Sequence, residues 1–128
     1  MRRDPRFIST RVHGALDIAM AVLLVASPWI IQFDHGSVET WLPILIGGGG
    51  LLYSLFTNYE WAVARRLPMP IHLLLDAGAG LFLALSPWIF GFDHFVWQPH
   101  VWLGLSEVAV AATTSPYPSQ RSYMGVLD

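Results

Sequence analysis

Hydrophobic residues along this chain fall into four long stretches separated by short polar segments. A helix needs about 20 mainly apolar residues to cross a hydrocarbon core. The first and third stretches meet that length, whereas the fourth is shorter and contains Glu107. The pattern therefore predicts four transmembrane helices, over Val12–Ile31, from about Trp41 toward Trp61, over Ile71–Phe90 and from about Pro99 to Ser115.

The composition supports a membrane protein. Hydrophobic residues make up 54% of the chain and charged residues 12%, about half the charged fraction of a typical soluble domain. Cysteine is absent, which excludes disulfides, thiolate metal sites and cysteine nucleophiles. A net charge of −2 without a basic run argues against a nucleic-acid partner. The expected partners are the lipid bilayer and either further copies of this chain or a larger membrane complex.

The distribution of arginine predicts the orientation in the membrane. All seven basic residues lie before the first stretch, between the second and third, or after the fourth. Because positive loops stay in the cytoplasm, both termini and the central loop are predicted to be cytoplasmic. The residues concerned are Arg2, Arg3, Arg6, Arg11, Arg65, Arg66 and Arg121.

A twelve-residue pattern occurs twice, as LVASPWIIQFDH at Leu24–His35 and as LALSPWIFGFDH at Leu83–His94. Each half of the chain is therefore predicted to form a hairpin of two antiparallel helices. An even number of crossings separates the copies, so the hairpins have the same orientation. They can then be related by a pseudo-two-fold axis along the membrane normal. The predicted fold is an all-α bundle of four transmembrane helices, although hairpins exchanged within a dimer fit the sequence equally well.

The repeat divides the chain into five segments. An arginine-rich cytoplasmic N-terminus (1–11) precedes the first hairpin (12–61). A cytoplasmic loop (62–70) leads to the second hairpin (71–115), and a polar cytoplasmic tail (116–128) follows.

Two Ser-Pro-Trp motifs, each followed by Phe-Asp-His, resemble the SPW-repeat family of small prokaryotic membrane proteins. The resemblance covers about residues 12–112 and includes both copies of the motif. It implies a helical protein of the prokaryotic inner membrane with two repeats. It implies no biochemical activity.

The motif residues favour a structural role at the outer end of each hairpin. Each proline is predicted to kink or end its helix, with the preceding serine capping a new short turn. Each tryptophan is expected at headgroup depth, and each aspartate is expected to cap the chain reversal. A gating hinge at the prolines and a metal site at the Asp-His pairs are the alternatives. The motif residues are Ser27, Pro28, Trp29, Phe33, Asp34, His35, Ser86, Pro87, Trp88, Phe92, Asp93 and His94.

The candidate site lies at the opposite end of the same helices. His13 and Asp17, like His72 and Asp76, are four residues apart and share a helix face. Ionisable groups at this depth normally face the bundle interior and have a partner. Glu107 is a fifth ionisable residue in a predicted span, and its expected repeat counterpart is Ile46.

Four interpretations of these residues remain open. The first is a structural clasp that locks helix packing. The second is a haem or other redox cofactor held by His13 and His72, with no cofactor fixed by the sequence. The third is proton or cation conduction through Asp17, Asp76 and Glu107, and the fourth is a quinone or lipid pocket. No catalytic residue or standard metal motif is found, so the leading prediction is a noncatalytic scaffold, accessory subunit or homo-oligomer, and not an enzyme.

Overall fold

Four α-helices make up the described part of the chain, in agreement with the predicted all-α class. The computed structural model describes residues 6–57 and 62–117. Arg2, Arg3, Arg121, Trp61 and most of the predicted polar tail lie outside these ranges. The helices are α1 (Thr10–Ile30), α2 (Val38–Leu55), α3 (Met69–Ile89) and α4 (Gln98–Thr113).

Local sequence signals begin the first and third helices. The Ser9 side chain caps α1 by accepting a hydrogen bond from the Val12 amide at 3.2 Å. Pro70 lies in the first turn of α3, where a missing amide proton costs no helical hydrogen bond. The N-caps of α2 and α4 are Ser37 and Trp97. Asp34 and Asp93 are therefore not the N-cap residues of these helices.

The Ser-Pro pair preserves the hydrogen bonding of the helix that contains it. Helix α1 continues through Pro28 to Ile30, so no new turn begins at the proline. Pro28 has no amide proton for the carbonyl four residues earlier, which belongs to Leu24. The Ser27 hydroxyl donates to that carbonyl instead, at 2.9 Å. The predicted capping role of the serine is therefore wrong, because its hydroxyl acts as a donor.

The second copy of the motif behaves in the same way. Helix α3 continues through Pro87 to Ile89, and the Ser86 hydroxyl donates to the Leu83 carbonyl at 2.6 Å. Both serines are fully buried. An unpaired carbonyl in a bilayer costs several kcal/mol, which explains why serine precedes proline in both copies.

Helices α1 and α3, which contain the Ser-Pro-Trp motifs, each end in a turn formed by residues of the same motif. The Phe33 amide donates to the Pro28 carbonyl at 2.8 Å, and the Phe92 amide donates to the Pro87 carbonyl at 2.8 Å. The residue before each phenylalanine, Gln32 or Gly91, has a positive φ of 60° or 71°. This is the Schellman arrangement of a helix C-terminus. It reverses the chain three residues after the tryptophan.

Close helix contacts form within each half of the chain. Helix α1 packs mainly on α2, and α3 packs mainly on α4. A Cβ atom added at Gly47 would lie 2.9 Å from the Leu24 Cβ. One added at Gly80 would lie 2.6 Å from the Gly104 carbonyl oxygen. Small residues therefore bring the backbones together, as expected in membranes.

The two halves join at the end where α1 and α3 begin. The chain before α1 pairs with the end of α4 through an isolated bridge between Ile8 and Thr114. The chain before α3 pairs with the end of α2 through a bridge between Leu67 and Thr57. These bridges bring the starts of α1 and α3 next to the ends of the other two helices.

Polar residues fill much of the interior, and large apolar residues cover the outside. The buried residues include three histidines, four threonines and three serines, whereas most of the leucine, isoleucine and tryptophan residues in the helices are exposed. This is the reverse of a soluble protein. Helices α1, α2 and α3 are long and apolar enough to cross a membrane, and α4, with 16 residues, falls below that length. The arrangement is that of a multi-pass membrane protein.

Candidate functional site

Two helices bring the His-Asp pairs into one buried cluster. His13 and Asp17 lie one turn apart on α1, and His72 and Asp76 occupy the matching positions on α3. The side chains of the two histidines and of Asp76 are at most 3% exposed, and that of Asp17 is 9% exposed. The sequence predicted these four residues, together with Glu107, as a candidate site, and the structure places the four in contact.

Each imidazole contacts both carboxylates. The His13 Nε2 atom lies 3.0 Å from Asp17 Oδ1 and 2.9 Å from Asp76 Oδ2. The His72 Nε2 atom lies 2.9 Å from Asp17 Oδ2 and 3.1 Å from Asp76 Oδ2. The two Nε2 atoms are 3.3 Å apart. The cluster is therefore one unit that joins the two halves of the chain, and not two separate pairs.

Two threonines orient the imidazole rings. The Thr114 hydroxyl donates its proton to the Val110 carbonyl at 2.6 Å, so its oxygen accepts from His13 Nδ1 at 2.8 Å. The Thr57 hydroxyl donates to the Tyr53 carbonyl at 2.8 Å and accepts from His72 Nδ1 at 2.6 Å. A hydroxyl has one proton to give. Both Nδ1 atoms are therefore protonated, and both Nε2 atoms face the carboxylates.

Hydroxyl groups also hold the carboxylates. The Tyr53 hydroxyl donates to Asp76 Oδ1, which leaves Oδ2 of the same carboxylate for the two imidazoles. The Ser54 hydroxyl donates to Asp17 Oδ2 at 3.3 Å. Both donors come from the last turn of α2.

Two cavities adjoin the cluster, and Asp17 and Glu107 line both of them. The smaller has a volume of about 20 Å³, which is room for about one water molecule. It also borders Tyr53 and Asp76. The larger, about 160 Å³, is a groove between α1 and α4. Glu107 therefore belongs to the surroundings of the cluster without contacting the imidazoles directly.

Comparison with known families gives one result. The family model of the SPW repeat domain matches residues 11–114. This chain belongs to the SPW repeat family. Neither the curated proteins nor the solved structures contain a significant match to this SPW repeat protein.

The phenylalanines of the SPW repeats close the end of the bundle opposite the cluster. Phe33 and Phe92 are both 3% exposed. Their ring centroids lie 5.2 Å and 4.8 Å from that of His100, a buried residue near the start of α4. The His100 Nε2 atom donates to the Glu39 carbonyl at 2.9 Å, so this contact ties α4 to α2.

The remaining motif residues point outward. Trp29 and Trp88 are 56% and 55% exposed, which suits contact with lipid. Three residues of the Phe-Asp-His loops are exposed and Asp93 is half-buried. Among residues 6–57 and 62–117, the loops form no group of three or more metal-ligating side chains, and the buried cluster is the one such group. The exposed loop residues are Asp34, His35 and His94.

The cluster has the wrong shape for a haem held by both histidines. Two imidazoles on opposite sides of one iron need their coordinating nitrogens about 4 Å apart, since metal–nitrogen bonds are about 2.0 Å. The observed separation is 3.3 Å, and both carboxylates contact the same two nitrogens. A porphyrin cannot enter between them without separating the helices.

Sequence reasoning missed Thr57, Thr114 and Ser54 and gave Tyr53 no role in the site. The threonines do carry a signal, because Thr57 and Thr114 are 57 positions apart, as are Gly47 and Gly104. This spacing differs from the 61 positions between Ile46 and Glu107, which were expected to be equivalent. It also makes Gly50, and not Ile46, the repeat counterpart of Glu107.

Proposed function

We propose that this SPW repeat protein is a noncatalytic protein of the prokaryotic inner membrane that acts as a scaffold, an accessory subunit or a homo-oligomer. All four helices cross the bilayer as two parallel hairpins, related by a pseudo-two-fold axis along the membrane normal. Equivalent contacts in the two halves support this arrangement. The Ser-Pro hydrogen bond and the Schellman turn recur within each half, and the His-Thr hydrogen bond recurs between the halves with its partners exchanged.

The proposal rests on the contact that each imidazole makes with a carboxylate of the other hairpin. His13 contacts Asp76, and His72 contacts Asp17, each at 2.9 Å. Lipid tails are as apolar as leucine side chains, so the hydrophobic effect does not drive helices together in a membrane. Helix association depends instead on close packing and on hydrogen bonds between helices. The cluster therefore acts as a clasp between the hairpins.

A double-mutant cycle tests the clasp. We expect His13→Gln and Asp76→Asn each to lower the stability measured by unfolding in detergent. The coupling energy between them should be about 0.5–1.5 kcal/mol, the range of polar contacts between membrane helices. His35→Gln, at an exposed loop histidine, serves as the control. A coupling energy within error of zero would show that the cluster does not join the hairpins.

The predicted topology has a direct test because the chain lacks cysteine. Asp34→Cys in the first outer loop should react with a membrane-impermeant maleimide on spheroplasts. Arg65→Cys in the loop between α2 and α3 should react only after the membrane is opened. The opposite pattern would reverse the orientation and place both termini outside.

Proton or cation handling is a second candidate function. It is favoured by the two cavities that Asp17 and Glu107 share, since intramembrane carboxylates next to space for water mark ion pathways. Proteoliposomes containing the protein should then conduct protons or cations faster than those containing the Asp17→Asn/Asp76→Asn variant. Equal flux in the two preparations would exclude this function.

A further inference from the structure

We propose that the four side chains of the cluster form a binding site for one divalent transition-metal ion, and that Zn²⁺ fits the site best. The site consists of His13, Asp17, His72 and Asp76, whose nearest ligand atoms all lie within 4.8 Å of one another. The proposal deepens the clasp described above by naming the ligand of the same cluster.

The threonines prepare the histidines as ligands. Because each Nδ1 atom donates to a threonine oxygen, a neutral imidazole presents the lone pair of Nε2 to the centre of the cluster. Metal-ligating histidines usually donate their other ring N–H to a neighbouring acceptor, which fixes the tautomer and the orientation of the ring. Thr114 and Thr57 supply that acceptor here.

One divalent cation can take the place of two protons at the centre of the cluster. With neutral imidazoles the cluster has two carboxylate charges, which either two protons or one divalent cation can neutralise. Protons on both Nε2 atoms would face each other across 3.3 Å, which is unfavourable for two positively charged rings. A cation between the rings removes that repulsion and serves all four groups at once.

The spacing of the donors matches a small tetrahedral ion. An ion with bonds of about 2.0–2.1 Å holds tetrahedral ligand atoms about 3.3 Å apart. The two Nε2 atoms are 3.3 Å apart, and the nitrogen–oxygen distances are 2.9–3.1 Å. Because the donor atoms, one from each residue, are up to 4.8 Å apart, the carboxylates move toward the ion to complete the geometry. Mg²⁺ and Ca²⁺ prefer sites made only of oxygen, so two imidazoles select against them.

The hydrogen bonds to the carboxylates leave carboxylate oxygens that can bind the ion. Tyr53 takes Oδ1 of Asp76 and leaves Oδ2 facing both imidazoles. Asp17 contacts one imidazole with each of its oxygens. It is also the least buried of the four, and it lines the groove between α1 and α4.

The test measures metal binding by the full chain in detergent. After treatment with a chelator and its removal, the protein is titrated with Zn²⁺, and with Mg²⁺ as the comparison ion. We expect one Zn²⁺ per chain and no Mg²⁺ binding at equal concentration. Asp17→Asn and His72→Gln should each weaken Zn²⁺ binding at least 100-fold. Co²⁺ should give the intense visible absorption of a four-coordinate site, and this absorption should be lost in both variants.

Two further variants keep the result interpretable if a ligand variant unfolds. Thr114→Val leaves all four ligands in place but removes the acceptor for His13 Nδ1, so we expect Zn²⁺ affinity to fall about 10–100-fold. His35→Gln/His94→Gln removes the exposed loop histidines and should leave binding unchanged. Zn²⁺ binding that is lost in this loop variant, or no binding to the unaltered protein, would overturn the proposal.

These outcomes separate the metal site from the clasp. If the metal-free protein shows the His13–Asp76 coupling but binds no Zn²⁺, the clasp is correct and the metal site is wrong. If Zn²⁺ binds and the metal-free coupling is zero, the metal site is correct and the clasp is wrong.

Discussion

Replacing Ser27 with alanine should destabilise the bundle because it leaves one buried carbonyl group without a hydrogen bond. The Leu24 carbonyl receives no backbone hydrogen bond because position 28 is proline. Its partner is the Ser27 hydroxyl at 2.9 Å, and both residues are buried. An unsatisfied buried acceptor costs about 1–3 kcal/mol. We expect Ser27→Ala to lower the free energy of unfolding by that amount.

The same substitution should cost much less when Pro28 is also replaced. In Pro28→Ala the new amide can donate to the Leu24 carbonyl, so the hydroxyl is no longer needed. The coupling between Ser27→Ala and Pro28→Ala should therefore be about 1–2 kcal/mol. Ser106→Ala is the matched control, because the exposed Ser106 hydroxyl donates to the Trp102 carbonyl within an unbroken helix. It should change stability by less than about 0.5 kcal/mol.

Unfolding titrations in detergent, followed by the circular dichroism of the helices, measure all of these variants under the same conditions. If Ser27→Ala costs the same with proline and with alanine at position 28, the hydroxyl does not compensate for the missing amide. The explanation given for the Ser-Pro pair would then be refuted.

Two further predictions concern glycine positions. Gly80→Ala should destabilise the protein by about 1–3 kcal/mol because its Cβ would meet the Gly104 carbonyl. Gly78→Ala, whose Cβ would have nothing within 4 Å, should be neutral or stabilising by up to about 1 kcal/mol. If the two variants change thermal stability by similar amounts, the close α3–α4 contact is contradicted. Gln32→Gly should stabilise the protein by about 1 kcal/mol, since Gln32 has a φ of 60° where the second motif has Gly91, and an unchanged or lower melting temperature would argue against that turn.

The helices and the cluster could be predicted from the sequence because both depend on spacing within one helix. Apolar length gave the spans, and the four-residue separation of His13 from Asp17 placed both on one face. The recurrence of the pair at His72 and Asp76 then suggested a common site. The structure brings the four side chains into contact.

The surroundings of the cluster could not be predicted because they depend on contacts between helices. Thr57 and Thr114 lie near the ends of α2 and α4, and nothing in their local sequence indicates which histidine they reach. The equivalence of positions in α2 and α4 could not be predicted either, since the outer loops differ in length. The equivalent packing of Gly47 on α1 and of Gly104 on α3 is what identifies Gly50 as the repeat counterpart of Glu107.

Neither half of the chain completes the site by itself. The acceptor for His13 Nδ1 is Thr114, and the acceptor for His72 Nδ1 is Thr57, so each half orients the histidine of the other. A single hairpin would leave a His-Asp pair and a threonine without these partners inside the bilayer, where unpaired polar groups are costly. Association of the halves is therefore coupled to the formation of the cluster. A second copy of the chain can supply the same partners if hairpins are exchanged, so mutations in the cluster should weaken such a dimer as much as they weaken the single chain.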